Sequence, residues 1–115
     1  MKSFLKSFVY AGEGILLGLR HERNFKIHIL AMFVVILAGV LSNLERMEWF
    51  IVIILISGML ALELVNSALE RVVDLVTKEY HPLAKQAKDL AAGAVFLFAI
   101  ASAIIGILIF YPKWF

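Results

Sequence analysis

The chain has 115 residues, enough for one domain at most, and its formal net charge is +2. Hydrophobic residues make up 63% of the sequence and charged residues only 17%, a balance that is unusual for a soluble globular domain. The small net charge argues against a nucleic-acid-binding surface, and the absence of cysteine excludes disulfides and cysteine-ligated zinc.

The N-terminal segment, about residues 1–20, has the hydrophobic periodicity of a helix. Its charged side chains fall within about 40° of one another on a helical wheel, and they are Lys2, Lys6, Glu13 and Arg20. The opposite arc is apolar, so we predict an amphipathic helix in the membrane interface, where it serves at least as an anchor. A secretory signal fits poorly because Glu13 interrupts the apolar run. Since the same wheel would aim Glu22 at lipid, we expect a bend near residues 20–24.

Three apolar blocks follow this segment. Residues 27–41 contain one histidine and no formal charge, residues 49–62 contain no charge, and residues 90–111 are uncharged throughout. A spanning helix needs about 20 mainly apolar residues, so the third block suffices alone and the first two need flanking residues. We predict one integral-membrane domain, residues 1–115, with transmembrane helices at about 25–42, 48–70 and 89–111.

Lysine and arginine are concentrated in residues 1–28 and 71–89, whereas residues 42–48 carry only Arg46 beside two glutamates. Basic loops remain in the cytoplasm. We therefore predict a multi-pass protein with a cytoplasmic N-terminus and a cytoplasmic 71–89 loop, its 42–48 turn and C-terminus lying outside. The aromatic residues expected at the outer interface are Trp49, Tyr111 and Trp114.

A polar stripe follows the inner half of the second predicted span. On a helix its members fall within about 100° of arc and about 16 Å of axis, and they are Glu63, Asn66, Ser67, Glu70 and Asp74. Counted along the helix from Trp49, Glu63 lies at about 21 Å and Glu70 at about 31 Å. Because the hydrocarbon core is about 30 Å thick, Glu63 is expected inside the apolar slab and Glu70 near its cytoplasmic edge.

An acidic side chain inside a membrane usually marks a function. The stripe can be the solvated face of a helix that leaves the membrane, which explains Asp74 but not Glu63, since Leu64 and Val65 keep its surroundings apolar. It can also be a carboxylate cluster that binds a divalent cation and phosphate beside a lipid. The residues alone do not distinguish phosphoryl transfer from proton-coupled transport.

The common nucleotide and metal motifs are missing from the sequence. There is no GxxxxGK[ST] motif, and the GEGILLG segment at 12–18 has the wrong spacing for a glycine loop and no strand before it. The three histidines form no metal-binding pattern. We expect each of them, at positions 21, 28 and 81, to be structural or interfacial.

Two segments, ELVNSALERVVD (63–74) and EYHPLAKQAKDLAAGAV (79–95), resemble the small prokaryotic diacylglycerol kinase family, which includes the undecaprenol kinases of Gram-positive bacteria. The resemblance extends over nearly the whole chain, including HERNFKIH at 21–28. It implies a homotrimer of three-span chains in the bacterial plasma membrane, with active sites between subunits. It also implies transfer of the γ-phosphate of ATP to the hydroxyl of a membrane lipid, with Mg²⁺ as the cofactor.

The resemblance further implies roles for individual residues. Glu63 matches the catalytic base that acts on the lipid hydroxyl, and Glu22 and Glu70 match the carboxylates that coordinate the metal. The positions that match nucleotide-binding residues are Tyr10, Asn66, Glu70, Glu79, His81, Lys88 and Asp89. Asp74 belongs to the same motif, and we assign it a structural role.

The HERNFKIH segment resembles the Gram-positive branch and so favours undecaprenol over diacylglycerol as the substrate. No residue by itself recognises an isoprenoid tail. Small residues of the third span, such as Ala99 and Ala103, fit either packing within the chain or a trimer interface. Two other functions stay open: a proton- or ion-conducting oligomer that uses Glu63, and a structural subunit whose acidic face binds a basic partner. The lysine and aspartate at 88–89 favour the kinase.

Overall fold

The computed structural model describes residues 2–115 and consists of helices joined by short connections. The helices are α1 (Lys2–His21), α2 (Arg23–Leu41), α3 (Arg46–Val76) and α4 (Pro82–Trp114). The part of the chain that the structure describes contains no β-strand, so the predicted all-α class is confirmed. Helices α2, α3 and α4 are long and apolar enough to cross a membrane, as the three apolar blocks predict.

Helix α1 carries the predicted amphipathic pattern, and Met1 lies outside the described residues. The apolar side chains of Phe4 and Phe8 are exposed, and their rings meet edge to face with centroids 5.1 Å apart. Gly18 is buried where α1 approaches α3, and a Cβ atom there would lie 2.9 Å from Leu64 Cδ2. The glycine therefore permits close packing at one point, while the apolar face of the first turns stays free, as in an interfacial helix.

The predicted bend near residues 20–24 is confirmed at Glu22. Its backbone is extended, with φ −106° and ψ 111°, between the last residue of α1 and the first of α2. These angles are far from helical values, so Glu22 ends one helix and begins the next. The Glu22 N–H still donates to the Gly18 carbonyl at 3.0 Å, and the Lys26 N–H donates to the Glu22 carbonyl at 3.1 Å. The interruption is therefore confined to one residue.

Helix α3 is central, with α2 and α4 packed on it and α1 packed near its C-terminal half. Helices α2 and α4 make no extensive contact with each other. With 31 and 33 residues, α3 and α4 are about 46 and 50 Å long at 1.5 Å per residue. Since the hydrocarbon core is about 30 Å thick, both helices have residues to spare for reaching beyond it.

The bundle is closed at one end, which we call the turn end (residues 42–48 and 109–115). Leu44, Val52 and Ile109 form a buried apolar cluster there. The Lys113 Nζ atom forms an ion pair with Glu48 Oε1 at 2.8 Å. The C-terminal turn of α4 is thereby fixed to the first turn of α3.

The connection between α2 and α3 is also well ordered by local contacts. Asn43 adopts a left-handed conformation with φ 53°, which asparagine tolerates better than most residues. Glu45 and Glu48 form a capping box that satisfies free N–H groups at the start of α3. Trp114 Nε1 donates a hydrogen bond to Ser42 Oγ at 2.8 Å, so α4 is joined to the turn as well.

Candidate functional site

The polar stripe of α3 is divided by burial into two parts. Glu63, Asn66 and Ser67 are buried inside the bundle, whereas Glu70 and Asp74 are exposed. Glu63 is only 4% exposed, which excludes the simple solvated face for this residue. The stripe forms a polar path from the interior of the bundle to its surface, at what we call the stripe end (Glu22 and residues 63–89).

Glu63 packs against α2, where His28 Nε2 lies 3.3 Å from Glu63 Oε1. A buried carboxylate needs a hydrogen-bonding or charged partner, because burial without one is strongly unfavourable. The histidine supplies that partner either as a neutral N–H donor or as a cation. This contact restricts the orientation of the carboxylate inside the bundle.

Sequence reasoning did not identify His28 as a site residue and expected it to be structural or interfacial. The signal was available, since His28 is the one polar residue in the apolar block 27–41. Glu63 lies in an apolar stretch of the next helix, and consecutive helices joined by a short turn run side by side. Two polar residues at similar depths on such helices are expected to pair, because neither is stable alone in an apolar layer.

Asn66 and Glu70 form a second pair one helical turn farther along α3. Asn66 Nδ2 donates a hydrogen bond to Glu70 Oε1 at 3.1 Å. Asn66 Oδ1 is buried and has no hydrogen-bond partner within residues 2–115. Buried acceptors are normally paired, so this oxygen is free to accept from, or coordinate, a group that arrives with a substrate.

Glu22 is brought to the stripe end by its position between α1 and α2. Its carboxylate accepts a hydrogen bond from Arg71 Nη1, and the two side chains form an ion pair. The same Arg71 nitrogen lies 3.5 Å from the Ser67 carbonyl oxygen. Arg71 directly follows Glu70, so the ion pair places Glu22 beside the stretch of α3 that carries the second predicted metal ligand.

The predicted nucleotide contacts of α4 form exposed ion pairs at the same end. Lys88 Nζ lies 2.7 Å from Asp74 Oδ1, and Asp89 Oδ2 lies 2.6 Å from Lys85 Nζ. Exposed pairs of this kind contribute little to stability. A phosphate group can therefore replace Asp74 as the partner of Lys88 with little loss of stability.

The other predicted nucleotide contacts have local roles or face outward. His81 caps α4, its Nδ1 accepting a hydrogen bond from the Leu83 N–H at 3.1 Å. Glu79 lies in the connection before α4, where its N–H donates to Thr77 Oγ1 at 3.1 Å. Tyr10 is 63% exposed on α1. Within residues 2–115 the hydrogen bond between two of the predicted site residues is Asn66–Glu70. Glu63, Glu22 and Lys88 instead contact His28, Arg71 and Asp74, so a single chain brings the predicted residues together only in part.

A cavity of about 400 Å³ lies between α1 and α3 beside this end. Gly14 and Gly18 contribute its α1 wall, Ser67 and Arg71 contribute polar atoms from α3, and Glu22 lies at the helix junction. A cavity of about 150 Å³ already holds a benzene-sized molecule. There is accordingly room for a small polar group next to the buried part of the stripe.

The stripe end offers oxygen ligands for a hard cation. Among residues 2–115, no three histidine or acidic side chains lie close enough to form a metal site by themselves. Mg²⁺ is commonly held by one or two carboxylates, with water and substrate phosphates completing its shell. Glu70 and the unpaired Asn66 oxygen suit that arrangement, and Glu22 adds a carboxylate if it separates from Arg71. The donor set fits a metal that arrives with a nucleotide.

Comparison with known proteins identifies the family of the chain. A family model described as "Prokaryotic diacylglycerol kinase" matches residues 9–110, which contain the whole polar stripe and every predicted site residue. The chain is 54% identical over 113 residues to an undecaprenol kinase of Bacillus subtilis, covering 98% of this chain and 92% of that relative.

Two further relatives carry the name diacylglycerol kinase. The relative from Synechocystis sp. is 46% identical over 105 residues, which are 90% of this chain and 60% of that protein. The relative from Helicobacter pylori (strain J99) is 37% identical over 94 residues, which are 81% of this chain and 73% of that protein. The matches to relatives of both names therefore extend over most of this chain.

Proposed function

The chain belongs to the prokaryotic diacylglycerol kinase family, and we propose that it transfers the γ-phosphate of ATP to the hydroxyl of undecaprenol. Its activity as a lipid kinase follows from the family. The choice of lipid is supported by the similarity to an undecaprenol kinase over nearly the full length of both chains. The relatives named diacylglycerol kinases have lower identity to this chain, which makes diacylglycerol the second candidate substrate.

The observation that carries the proposal is the buried Glu63 carboxylate held against His28. In the transfer step a Glu63 oxygen accepts the hydroxyl proton while the lipid oxygen bonds to the γ-phosphorus. The bond from that phosphorus to the bridging oxygen of ADP breaks, and ADP leaves with the bonding electron pair. His28 keeps the carboxylate oriented, and burial keeps water from competing with the lipid hydroxyl.

We assign the metal site to Glu70, Glu22 and Asn66 Oδ1. A bound Mg²⁺ supplies positive charge that neutralises the phosphate oxygens and orients the γ-phosphate. Glu22 pairs with the Arg71 guanidinium in the structure. A metal ion bound by Glu22 replaces Arg71 as the positive partner of this carboxylate. The orphaned oxygen of Asn66 gains the partner that it lacks within the described part of the chain.

We assign the nucleotide site to the surface beside these ligands. Lys88 exchanges Asp74 for phosphate oxygens and acts there as a point cation that stabilises developing charge. The remaining contacts in this proposal are Tyr10, Glu79, His81 and Asp89. Because Tyr10 is directed outward and Asp89 is in an exposed pair, these residues are available to a nucleotide shared with another chain.

We propose that the protein is a homotrimer whose sites are completed by neighbouring subunits, in the bacterial plasma membrane with the N-terminus cytoplasmic. The incomplete gathering of the site residues in one chain supports the oligomer. The basic N-terminal segment and 71–89 region support the orientation, which gives the stripe end access to cytoplasmic ATP. Cross-linking in native membranes and protease accessibility of the 71–89 region in sealed vesicles test these two points.

The function is tested by reconstituting the protein in phospholipid vesicles with Mg²⁺ and ATP labelled in the γ-phosphate. We expect labelled undecaprenyl phosphate, with diacylglycerol at the same membrane concentration giving at least tenfold less product. Equal or greater labelling of diacylglycerol reverses the choice of lipid. Failure to label any lipid alcohol, together with proton flux in the absence of ATP, replaces the kinase with an ion-conducting oligomer.

A further inference from the structure

Between α2 and α4 lies an apolar groove, which we call the α2–α4 groove. It exists because both helices pack on α3 and make no extensive contact with each other. The volume of the groove is about 340 Å³. Residues of α3 form its floor, among them Met59 and Leu60, and residues of α4 form one wall, among them Ala103 and Gly106. Apart from His28 and one serine, all its lining residues are apolar or glycine.

One end of the groove adjoins the candidate active site. His28 lines the groove and at the same time contacts Glu63 at 3.3 Å. From that end the floor runs along α3 from Leu60 to Val52, a distance of about 12 Å along the axis. The groove therefore extends from beside the proposed catalytic base through the apolar middle of the bundle to the buried cluster at the turn end, away from the polar stripe.

The size of the groove limits what can occupy it. The groove is open on one side, and one turn of a helix about 10 Å wide and 5.4 Å long has a volume of roughly 400 Å³, so a second copy could place side chains in it but not enclose a helix there. A benzene molecule fills a cavity of about 150 Å³, and 340 Å³ thus takes roughly two isoprene units. Small residues on the α4 wall provide this space, and a Cβ atom added to Gly106 meets no atom within 4 Å.

We infer that the α2–α4 groove holds the isoprenoid units nearest the hydroxyl of a polyprenol, and so directs the hydroxyl to Glu63. This inference rests on the proposed function and adds to it a subsite for the tail. Lipid chains are as apolar as the groove, so occupancy gives little affinity and acts mainly by positioning. Misplacement of a reacting group by about 1 Å can lower a rate 100-fold, which makes the turnover rate the sensitive quantity.

The groove can be filled without disturbing the site residues. Ala103→Leu and Gly106→Leu add bulk to the α4 wall, whereas Ala101→Leu adds the same bulk two residues away, outside the groove. We expect Ala103→Leu and Gly106→Leu to lower kcat for undecaprenol at least tenfold while the KM for Mg-ATP stays within about twofold. Ala101→Leu should leave both constants unchanged, and all variants should keep the oligomer size of the wild type in detergent.

A photoreactive polyprenol tests occupancy independently of turnover. A diazirine on the second isoprene unit should label residues 99–106 or 52–60 in the wild type, and Ala103→Leu should reduce that labelling at least fivefold. A diazirine at the far end of the tail should not label these residues. Competition with excess undecaprenol should remove the specific product.

Each contrary result has one meaning. If the wild type phosphorylates undecaprenol but the second-unit probe labels residues elsewhere, or the groove-filling variants turn over normally, the inference fails and the proposed function stands. If filling the groove dissociates the oligomer, side chains of a second copy occupy it, and the inference also fails. If the wild type phosphorylates no lipid alcohol, the proposed function itself fails.

Discussion

The two ends of the bundle satisfy their polar groups in different ways. At the turn end, Glu48 is paired with Lys113, and Trp114 is hydrogen-bonded to Ser42. These contacts surround an apolar cluster. They join the C-terminal turn of α4 to the start of α3 and to the turn that follows α2. At the stripe end, Asn66 has a buried oxygen with no partner in residues 2–115, and the lysines form exposed pairs with nearby acids.

Under the proposed function, the difference separates the end of the bundle that stabilises the protein from the end that carries its chemistry. Polar groups at the turn end already have suitable partners, so a ligand has little to offer them. At the stripe end one buried Asn66 oxygen is unpaired, and Lys88 and Asp89 are held in exposed pairs that a ligand can replace at small expense. Substitutions at the turn end should therefore change stability without changing turnover, and substitutions at the stripe end should do the reverse.

The largest expected effect comes from removing one carboxylate charge at the stripe end. Glu63→Gln keeps the size of the side chain but cannot accept the hydroxyl proton, so kcat should fall about 10³-fold, within the range for loss of a general base. The matched change at the turn end, Glu48→Gln, removes the charge that pairs with Lys113 and should leave kcat unchanged. Labelled phosphate transfer by both purified variants in the same vesicles measures the contrast.

A folding control accompanies this pair. Both variants should show the helical circular dichroism and the oligomer size of the wild type. Near-normal turnover by Glu63→Gln would remove Glu63 as the base, and a large loss in Glu48→Gln would show that the two ends are not functionally separate.

The second effect concerns the metal. Glu70→Gln retains a hydrogen-bond acceptor for Asn66 Nδ2 but lacks the charge that binds a hard cation. We expect kcat/KM to fall about 100-fold at low Mg²⁺, with partial recovery as Mg²⁺ is raised. Asp74→Asn is the control on the exposed part of the same stripe. A loss in Glu70→Gln that is independent of Mg²⁺ concentration would contradict the metal assignment.

A third substitution should weaken the turn end alone. Leu44→Ala removes a side chain from the buried cluster with Val52 and Ile109, and core truncations of this kind cost about 2 kcal/mol or more. Reversible unfolding in denaturing detergent should show this loss, while the KM values for ATP and lipid stay unchanged. A shift in either KM value larger than threefold would mean that the cluster also shapes the site.

The smallest expected effect is the loss of one hydrogen bond at the turn end. Ser42→Ala removes the acceptor of Trp114 Nε1, and such a bond contributes about 1 kcal/mol. Unfolding measurements on Ser42→Ala and on Trp114→Phe should give similar losses, because both changes break the same contact. Clearly different losses would show that Trp114 stabilises the protein through its ring rather than through its N–H.

Much of the fold could be predicted from local patterns in the sequence. Three apolar blocks predicted α2, α3 and α4, because spanning a bilayer requires long uncharged helices. The helical wheel required a break before α2, and the extended Glu22 confirms it. The exact helix ends could not be predicted, since α3 continues through the exposed stripe to Val76 and α4 begins at Pro82, where hydropathy gives no signal.

The site was predictable where its residues share one helix and unpredictable where contacts join different helices. The spacing of Glu63, Asn66 and Glu70 placed them on one face from helical geometry alone. The ion pair of Glu22 with Arg71 depends on how the junction of α1 and α2 packs against α3. The pairing of Glu63 with His28 also joins two helices, and the isolated polar residue in the first apolar block was its one signal in the sequence. The α2–α4 groove likewise arises from three helices together, so no single apolar pattern reveals it.

The most direct measurement is an experimental structure of the protein in lipid with Mg²⁺, a non-hydrolysable ATP analogue and undecaprenol. The lipid hydroxyl should lie within about 3 Å of a Glu63 carboxylate oxygen, the reach required of a general base. The metal should contact Glu70 on the same side of the bundle. Undecaprenol bound with its hydroxyl remote from Glu63, or Glu63 turned to the acyl chains in every subunit, would contradict the proposed mechanism.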